Sequence, residues 1–141
     1  MINLLSFLLL IGILITAHEF GHFAAAKPCG VKVEVFSVGF GKSIFQFKRG
    51  ETEYRIAWLP FGGYVRMLGQ DPEQSVPPED EGRSLSEKAP LTRIFIYAAG
   101  PVMNLVLPFA IIVPLVALSS DYAQVQGSQV GALDLSMGAY K

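Results

Sequence analysis

Residues 2–17, INLLSFLLLIGILITA, carry no charge, and the apolar run continues through HEFGHFAAA to Ala26 before Lys27-Pro28 stops it. Coiled as a helix, Ile2 to Ala26 is long enough to cross a hydrocarbon core about 30 Å thick. A second uncharged run, Ile94 to Leu118, is broken by Gly100-Pro101, Pro108 and Pro114. Breakers at that density would ruin a soluble helix, whereas transmembrane helices tolerate them when neighbours re-satisfy the freed backbone groups. The sequence therefore predicts two transmembrane helices, over 1–26 and 94–118. A cleaved signal peptide fits the first run poorly, because no Lys or Arg precedes it and a His-Glu-His cluster follows it.

Composition agrees with a membrane protein. The chain is 51% hydrophobic and only 16% charged, greasy for a soluble domain of 141 residues. A net charge of −1 argues against nucleic acid as a partner and against polybasic attachment to a membrane surface. The one cysteine, Cys29, excludes an internal disulfide framework and any multi-cysteine zinc site; between Pro28 and Gly30 it reads as a small turn residue. Ten of the eleven Lys and Arg fall between Lys27 and Arg93, the exception being Lys141. The positive-inside rule then places the connecting stretch in the cytoplasm and both termini on the other side.

That connection reads as extended chain followed by loop. VKVEVFSV (31–38) alternates apolar and polar positions, and SIFQFKRGETEYRIAWL (43–59) reads as a hairpin turning at Arg49-Gly50-Glu51. Gly62-Gly63 is expected to break the chain before a further short apolar run that ends at Leu68. Residues 69–93 form a solvated acidic loop with two prolines at 77–78, then an amphipathic lead-in at the membrane interface. The tail, 119–141, looks like the opening of a soluble domain.

The chemistry concentrates in His18-Glu19-Phe20-Gly21-His22, three ionisable groups inside a lipid-length helix. Charged groups at the bilayer centre cost about 2.5–3.5 kcal/mol each on insertion scales, so such groups mark function. Residues four apart share a helix face, which aims His18 and His22 at one spot with Glu19 one residue round. This is the HExxH pattern, two nitrogen ligands for Zn2+ and a glutamate general base. Zinc lowers the pKa of its bound water to about 7, and the glutamate takes the proton as hydroxide attacks a peptide carbonyl. Counting along the helix, His18 lies roughly 24 Å and His22 roughly 30 Å from Ile2, near the cytoplasmic border of the bilayer.

HEFGH on the first run, FSVGFGKSIF, ETEYRIAWLPFGGYVRML and APLTRIFIYAAGPVMN occur in that order. Together they resemble the site-2 protease family of intramembrane zinc metalloproteases (peptidase M50 type), closest to the bacterial sigma-E regulator branch. The resemblance runs from residue 1 to about 118. It implies a membrane protein, mainly α with a β-hairpin insertion, in which two transmembrane helices flank a reentrant β-loop (27–68) and a PDZ-like domain begins in 119–141. It implies Zn2+ as cofactor, Glu19 as catalytic base, and His18 and His22 as metal ligands. It also implies a bacterial inner-membrane location and, as substrates, transmembrane segments of proteins such as anti-sigma factors or signal-peptide remnants. An exposed strand edge on the β-loop would give an unwound substrate helix backbone partners. Tyr54 to Leu59 and Tyr64 to Leu68 are the candidate edges, with Tyr54, Trp58 and Tyr64 as candidate substrate contacts. Asn104, within the GPxxN stretch (100–104), either orients a substrate carbonyl or hydrogen-bonds between helices; helix packing is the expected role.

A catalytic zinc site keeps three protein ligands and one open position, and this sequence offers two. The family's third ligand is an aspartate in an LDG motif on a later helix. Leu133-Asp134-Leu135 lacks the glycine and the hydrophobic setting, so Asp134 is not assigned. The chain then reads as the N-terminal part of a longer protease. The alternative is a truncated, non-catalytic membrane module that binds helices or partners without cutting them.

Overall fold

Helix α1 occupies Ile2–Ala26 and helix α2 Pro90–Leu118 in the computed structural model, which describes residues 2–71 and 73–118. Both are apolar over most of their circumference and leave much of that surface uncovered. Leu4, Leu10 and Ile13 on α1, and Leu105, Phe109 and Leu115 on α2, are all more than half exposed. A soluble protein would bury such side chains; a helix apolar on every face belongs in a deep core or in lipid. Length and composition suffice in both cases to cross a membrane. Proline at the first position of α2 has its φ already set for a helix, which starts the helix at Pro90, ahead of the uncharged run. Pro101, Pro108 and Pro114 do not interrupt it.

The chain divides into two units, Met1–Phe109 and Ala110–Lys141. In the second, the described residues are the last turns of α2, so the expected PDZ-like start at 119–141 lies outside the described residues, as does Asp134.

Strands β1 (Val33–Arg49) and β2 (Thr52–Met67) pair antiparallel as a two-stranded sheet, with Gly50 in left-handed backbone at the turn (φ 62°). The register shows more than a plain hairpin. Ser43–Arg49 pairs with Thr52–Ala57, but Val35–Val38 pairs both with Glu53–Ile56 and with Gly63–Arg66. Each long strand is therefore bent back, and four short segments lie side by side in the order 63–67, 33–38, 53–57, 43–49. Gly39 makes the bend in β1, with φ of 89° and a position where a Cβ would lie 2.7 Å from the Leu59 carbonyl oxygen. Gly62-Gly63 does not end the strand, as the sequence reading expects. Gly62 (φ 146°) redirects β2 so that its last residues reach the far side of β1.

The ends of these elements share one core. Ala25 and Ala26 from α1, Val31 and Val33, Val65 and Met67, Leu85 and Ile96 bury one another at the end of α1, the base of the sheet and the start of α2. The connecting loop is pinned to it as a short extended piece: Leu68 N–H donates to Lys32 C=O (2.9 Å), Leu85 N–H to Leu68 C=O (2.8 Å), and Lys32 N–H to Arg83 C=O (3.0 Å). The acidic loop is not wholly solvated, because Asp80 is buried and paired with Lys32 and with Arg83 (3.1 Å). The Lys32 ammonium, hydrogen-bonded to Asp80, holds that carboxyl below the usual aspartate range.

Helices α1 and α2 meet at Gly21. A Cβ there would sit 2.3 Å from the Ala99 carbonyl oxygen and 2.9 Å from Met103 Cβ, so the two backbones are in contact. Small residues permit such a crossing where no hydrophobic effect drives helices together in lipid. Gly21→Val is expected to lower stability by about 1–3 kcal/mol, the usual result of overpacking. Denaturation in detergent reads this, and an unchanged midpoint would mean that the helices do not touch there.

Candidate metal centre

The end of α1 carries His18 and His22 one turn apart, their rings edge-to-face with centroids 4.8 Å apart. Their distal nitrogens converge on a single point of α2. A Cβ placed on Gly100 would lie 2.5 Å from His22 Nε2 and 2.7 Å from His18 Nε2. Only glycine leaves that point open.

The proximal nitrogens are held as well. His22 Nδ1 lies 2.7 Å from the Ile96 carbonyl oxygen. A carbonyl only accepts, so Nδ1 carries a proton, and in the neutral imidazole the lone pair is then on Nε2, beside Gly100. Backbone carbonyls commonly fix metal-ligating histidines in this way. His18 Nδ1 faces the Asn104 amide at 3.4 Å. Of the sequence-predicted substrate contacts, Asn104 alone is brought to the histidines.

Glu19 points to the sheet. Its Oε2 accepts the backbone N–H of Val65 (3.1 Å), within the outermost segment 63–67. The same face of α1 meets β2 twice more. Thr16 donates its hydroxyl to Gly12 C=O (2.7 Å) with Gly62 C=O 3.3 Å away, and Gly12 lies against the Pro60 carbonyl. The carboxylate beside the two imidazoles is thus anchored to the strand edge that the sequence reading singles out. Along this seam runs an open apolar groove of about 500 Å³, lined by Leu9, Ile13, Phe20, Val38 and Pro60 among others.

The three candidate aromatics lie on the sheet. Tyr54 is packed among Phe23, Phe36 and Phe47, stacking on Phe47 at 5.1 Å. Tyr64 stacks on Phe40 and accepts a hydrogen bond from Arg55 (3.2 Å). Trp58 is 72% exposed, beside the exposed Ile56 and Leu59. Gly100 is the residue beside the histidines that sequence reasoning passes over, reading Gly100-Pro101 as a break in the second apolar run. The available signal was the pair of glycines, one inside HEFGH and one before Pro101, that lets the helices cross at the histidines.

Residues 6–137 match the sequence pattern of Peptidase family M50. The chain belongs to that family. Protease RseP of Yersinia pestis is 49% identical over 111 residues, covering 78% of this chain and 24% of the relative. The regulator of sigma-E protease RseP of Salmonella typhimurium is 49% identical over 105 residues, 74% of this chain and 23% of the relative. A Clostridium perfringens protein named as a zinc metalloprotease, CPE1693, is 46% identical over 117 residues, 83% of this chain and 33% of the relative. The M50 chain thus spans from under a quarter to a third of the length of these relatives.

Zinc, the metal in the relatives' names, suits what this M50 chain presents. The Nε2 atoms of two imidazoles stand side by side against Gly100, where any side chain would collide with them, and a carboxylate follows His18 in sequence. Among the described residues no group of three or more His, Cys, Asp or Glu is placed to hold a metal. His18 and His22 would supply two of the three protein ligands that a catalytic zinc site uses.

Proposed function

We propose that this chain is the zinc-binding, water-activating part of an intramembrane endopeptidase that cuts transmembrane segments of membrane proteins. The observation carrying the reading is the convergence of His18 Nε2 and His22 Nε2 on the bare backbone of Gly100, with Glu19 next in sequence, in a helix whose apolar surface faces outward. Zinc held there would acidify a bound water and polarise the scissile carbonyl. Glu19 accepts the proton of the attacking water and delivers it to the leaving amine, the general acid–base work of a positioned carboxylate. His22, oriented by Ile96, and His18 hold the metal; the third ligand is an aspartate from a further helix.

The 63–67 segment lies beside Glu19, and an unwound substrate would pair with its edge as an added strand by taking over the Val65 N–H that Glu19 now accepts. Pairing there would compensate the substrate for helical hydrogen bonds it must give up before its backbone can be hydrolysed. Trp58 and the exposed apolar residues near it in sequence, together with Tyr54 and Tyr64, present the sheet to lipid and substrate. The basic stretch from Lys27 to Arg93 is cytoplasmic and both helix ends away from it extracytoplasmic, in a bacterial inner membrane. Substrates are single membrane-spanning segments, anti-sigma factors or signal-peptide remnants, in keeping with relatives named for sigma-E regulation.

The experiment reconstitutes the full-length protein with a transmembrane reporter substrate and measures zinc content and cleavage together. The wild type is expected to hold one zinc per chain and cleave. His22→Ala should lose both, with zinc affinity falling more than about 100-fold, beyond the range seen for outer-shell changes. Unchanged zinc in His22→Ala overturns the ligand assignment. Zinc without cleavage in the wild type favours instead a module that binds membrane helices without cutting them.

A further inference from the structure

The amide of Asn104 stands against His18 with one end and against nothing with the other. The NH2 group faces Nδ1 of His18 at 3.4 Å, which leaves the opposite end, Oδ1, buried with no hydrogen-bond partner among the described residues. Oxygen and nitrogen of a side-chain amide have the same shape, so their assignment follows from the chemistry around them. In that orientation the amide donates to Nδ1, which forces the proton of a neutral His18 onto Nε2. That nitrogen is the one that faces Gly100 beside His22 Nε2. A protonated Nε2 there has no lone pair for a metal, while its neighbour His22, fixed by Ile96, has one.

Turning the amide over resolves the conflict. Oδ1 then accepts from His18 Nδ1–H, and the Nε2 lone pairs of both histidines point at the same place. The group left without a partner becomes a donor instead of an acceptor. Beside a site built to attack a carbonyl, a free donor has a use that a free acceptor lacks, since a substrate oxygen can accept from it.

We infer that Asn104 is a positioning residue for the metal site, its Oδ1 accepting the Nδ1–H of His18 and so holding Nε2 free to bind zinc. The inference rests on the zinc reading of the site. It deepens that reading by giving each histidine its own orienting acceptor on α2, the Ile96 carbonyl for His22 and the Asn104 amide for His18.

The test uses 15N-histidine-labelled full-length protein in detergent and two variants, Asn104→Leu, of similar shape without an acceptor, and Asn104→Asp, which keeps the acceptor. Imidazole nitrogen shifts read the tautomer of His18 in the metal-free protein, and chelator competition reads zinc affinity. In the wild type His18 is expected as the Nδ1–H tautomer. Asn104→Leu shifts it to Nε2–H and weakens zinc about 10–100-fold, the range for losing an outer-shell partner of a ligand. Asn104→Asp restores the Nδ1–H tautomer and keeps zinc within a few-fold of wild type.

His22, held from Ile96, is the internal control and should stay Nδ1–H throughout; its loss in Asn104→Leu marks a misfolded variant, and the wild type and Asn104→Asp then decide. An Nε2–H tautomer of His18 in the wild type overturns the inference, as does Asn104→Asp behaving like Asn104→Leu. A wild type with the Nδ1–H tautomer that binds no zinc overturns the zinc reading and leaves the Asn104–His18 contact standing.

Discussion

Glu19→Gln is expected to lower the rate of peptide cleavage by about 10²–10⁴-fold, the usual contribution of a general base, while leaving zinc content and fold unchanged. The substitution removes the proton acceptor but keeps the shape. It also keeps the contact that anchors the side chain, because a glutamine oxygen can accept the Val65 N–H as Glu19 Oε2 does at 3.1 Å. His18 and His22 make no hydrogen bond to Glu19 in the structure and retain their partners on α2. The measurement is kcat/KM of the reconstituted full-length protein on a transmembrane reporter, alongside zinc per chain. Wild-type turnover by the variant would remove Glu19 from the chemistry. Loss of zinc together with activity would make it a structural support of the site.

Gly100→Ala is expected to be nearly as damaging by a different route. The added methyl would stand 2.5 Å from His22 Nε2, 2.6 Å from His22 Cε1 and 2.7 Å from His18 Nε2, well inside contact distance for heavy atoms. Either both rings turn away or α2 backs off, and in either case the two lone pairs no longer share a target. Zinc affinity should fall by more than about 100-fold, since second-shell losses alone reach 10–100-fold. Alanine favours helix over glycine by about 1 kcal/mol, so α2 itself should survive. Chelator competition and circular dichroism separate these effects: a helical protein that binds zinc as tightly as wild type would show that the metal sits elsewhere.

The helices and the adjacency of His18 and His22 were legible in the sequence because they rest on local properties. Two uncharged runs of membrane length need no tertiary information to be recognised. Two histidines four residues apart share a face of any α-helix, whatever packs against it. The hairpin turn at Gly50 was equally local, glycine being the residue that adopts positive φ without strain. The double pairing of Val35–Val38 was not legible, because alternation in 31–38 says only that a strand has two faces, not which segments flank it. Gly62-Gly63, read as a break, is instead the bend that brings 63–67 around to Glu19. Buried Asp80 was likewise hidden: within an acidic loop nothing local marks the one carboxylate that Lys32 and Arg83 will enclose.

What the sequence determined by itself was the kind of protein and the kind of chemistry: membrane-length helices, and an imidazole pair with a carboxylate carried on the first of them. What only the tertiary structure decided was which atoms of α2 the two imidazoles meet and what fixes them. Ile96, Gly100 and Asn104 lie more than seventy residues from the histidines they meet, on a helix whose own pattern is uniformly apolar. Their meeting depends on two backbones touching at Gly21 and Ala99. Such contacts in lipid come from close packing and not from a hydrophobic stripe. Periodicity therefore carries no trace of them, and only the crossing of the helices reveals which glycine must stay bare.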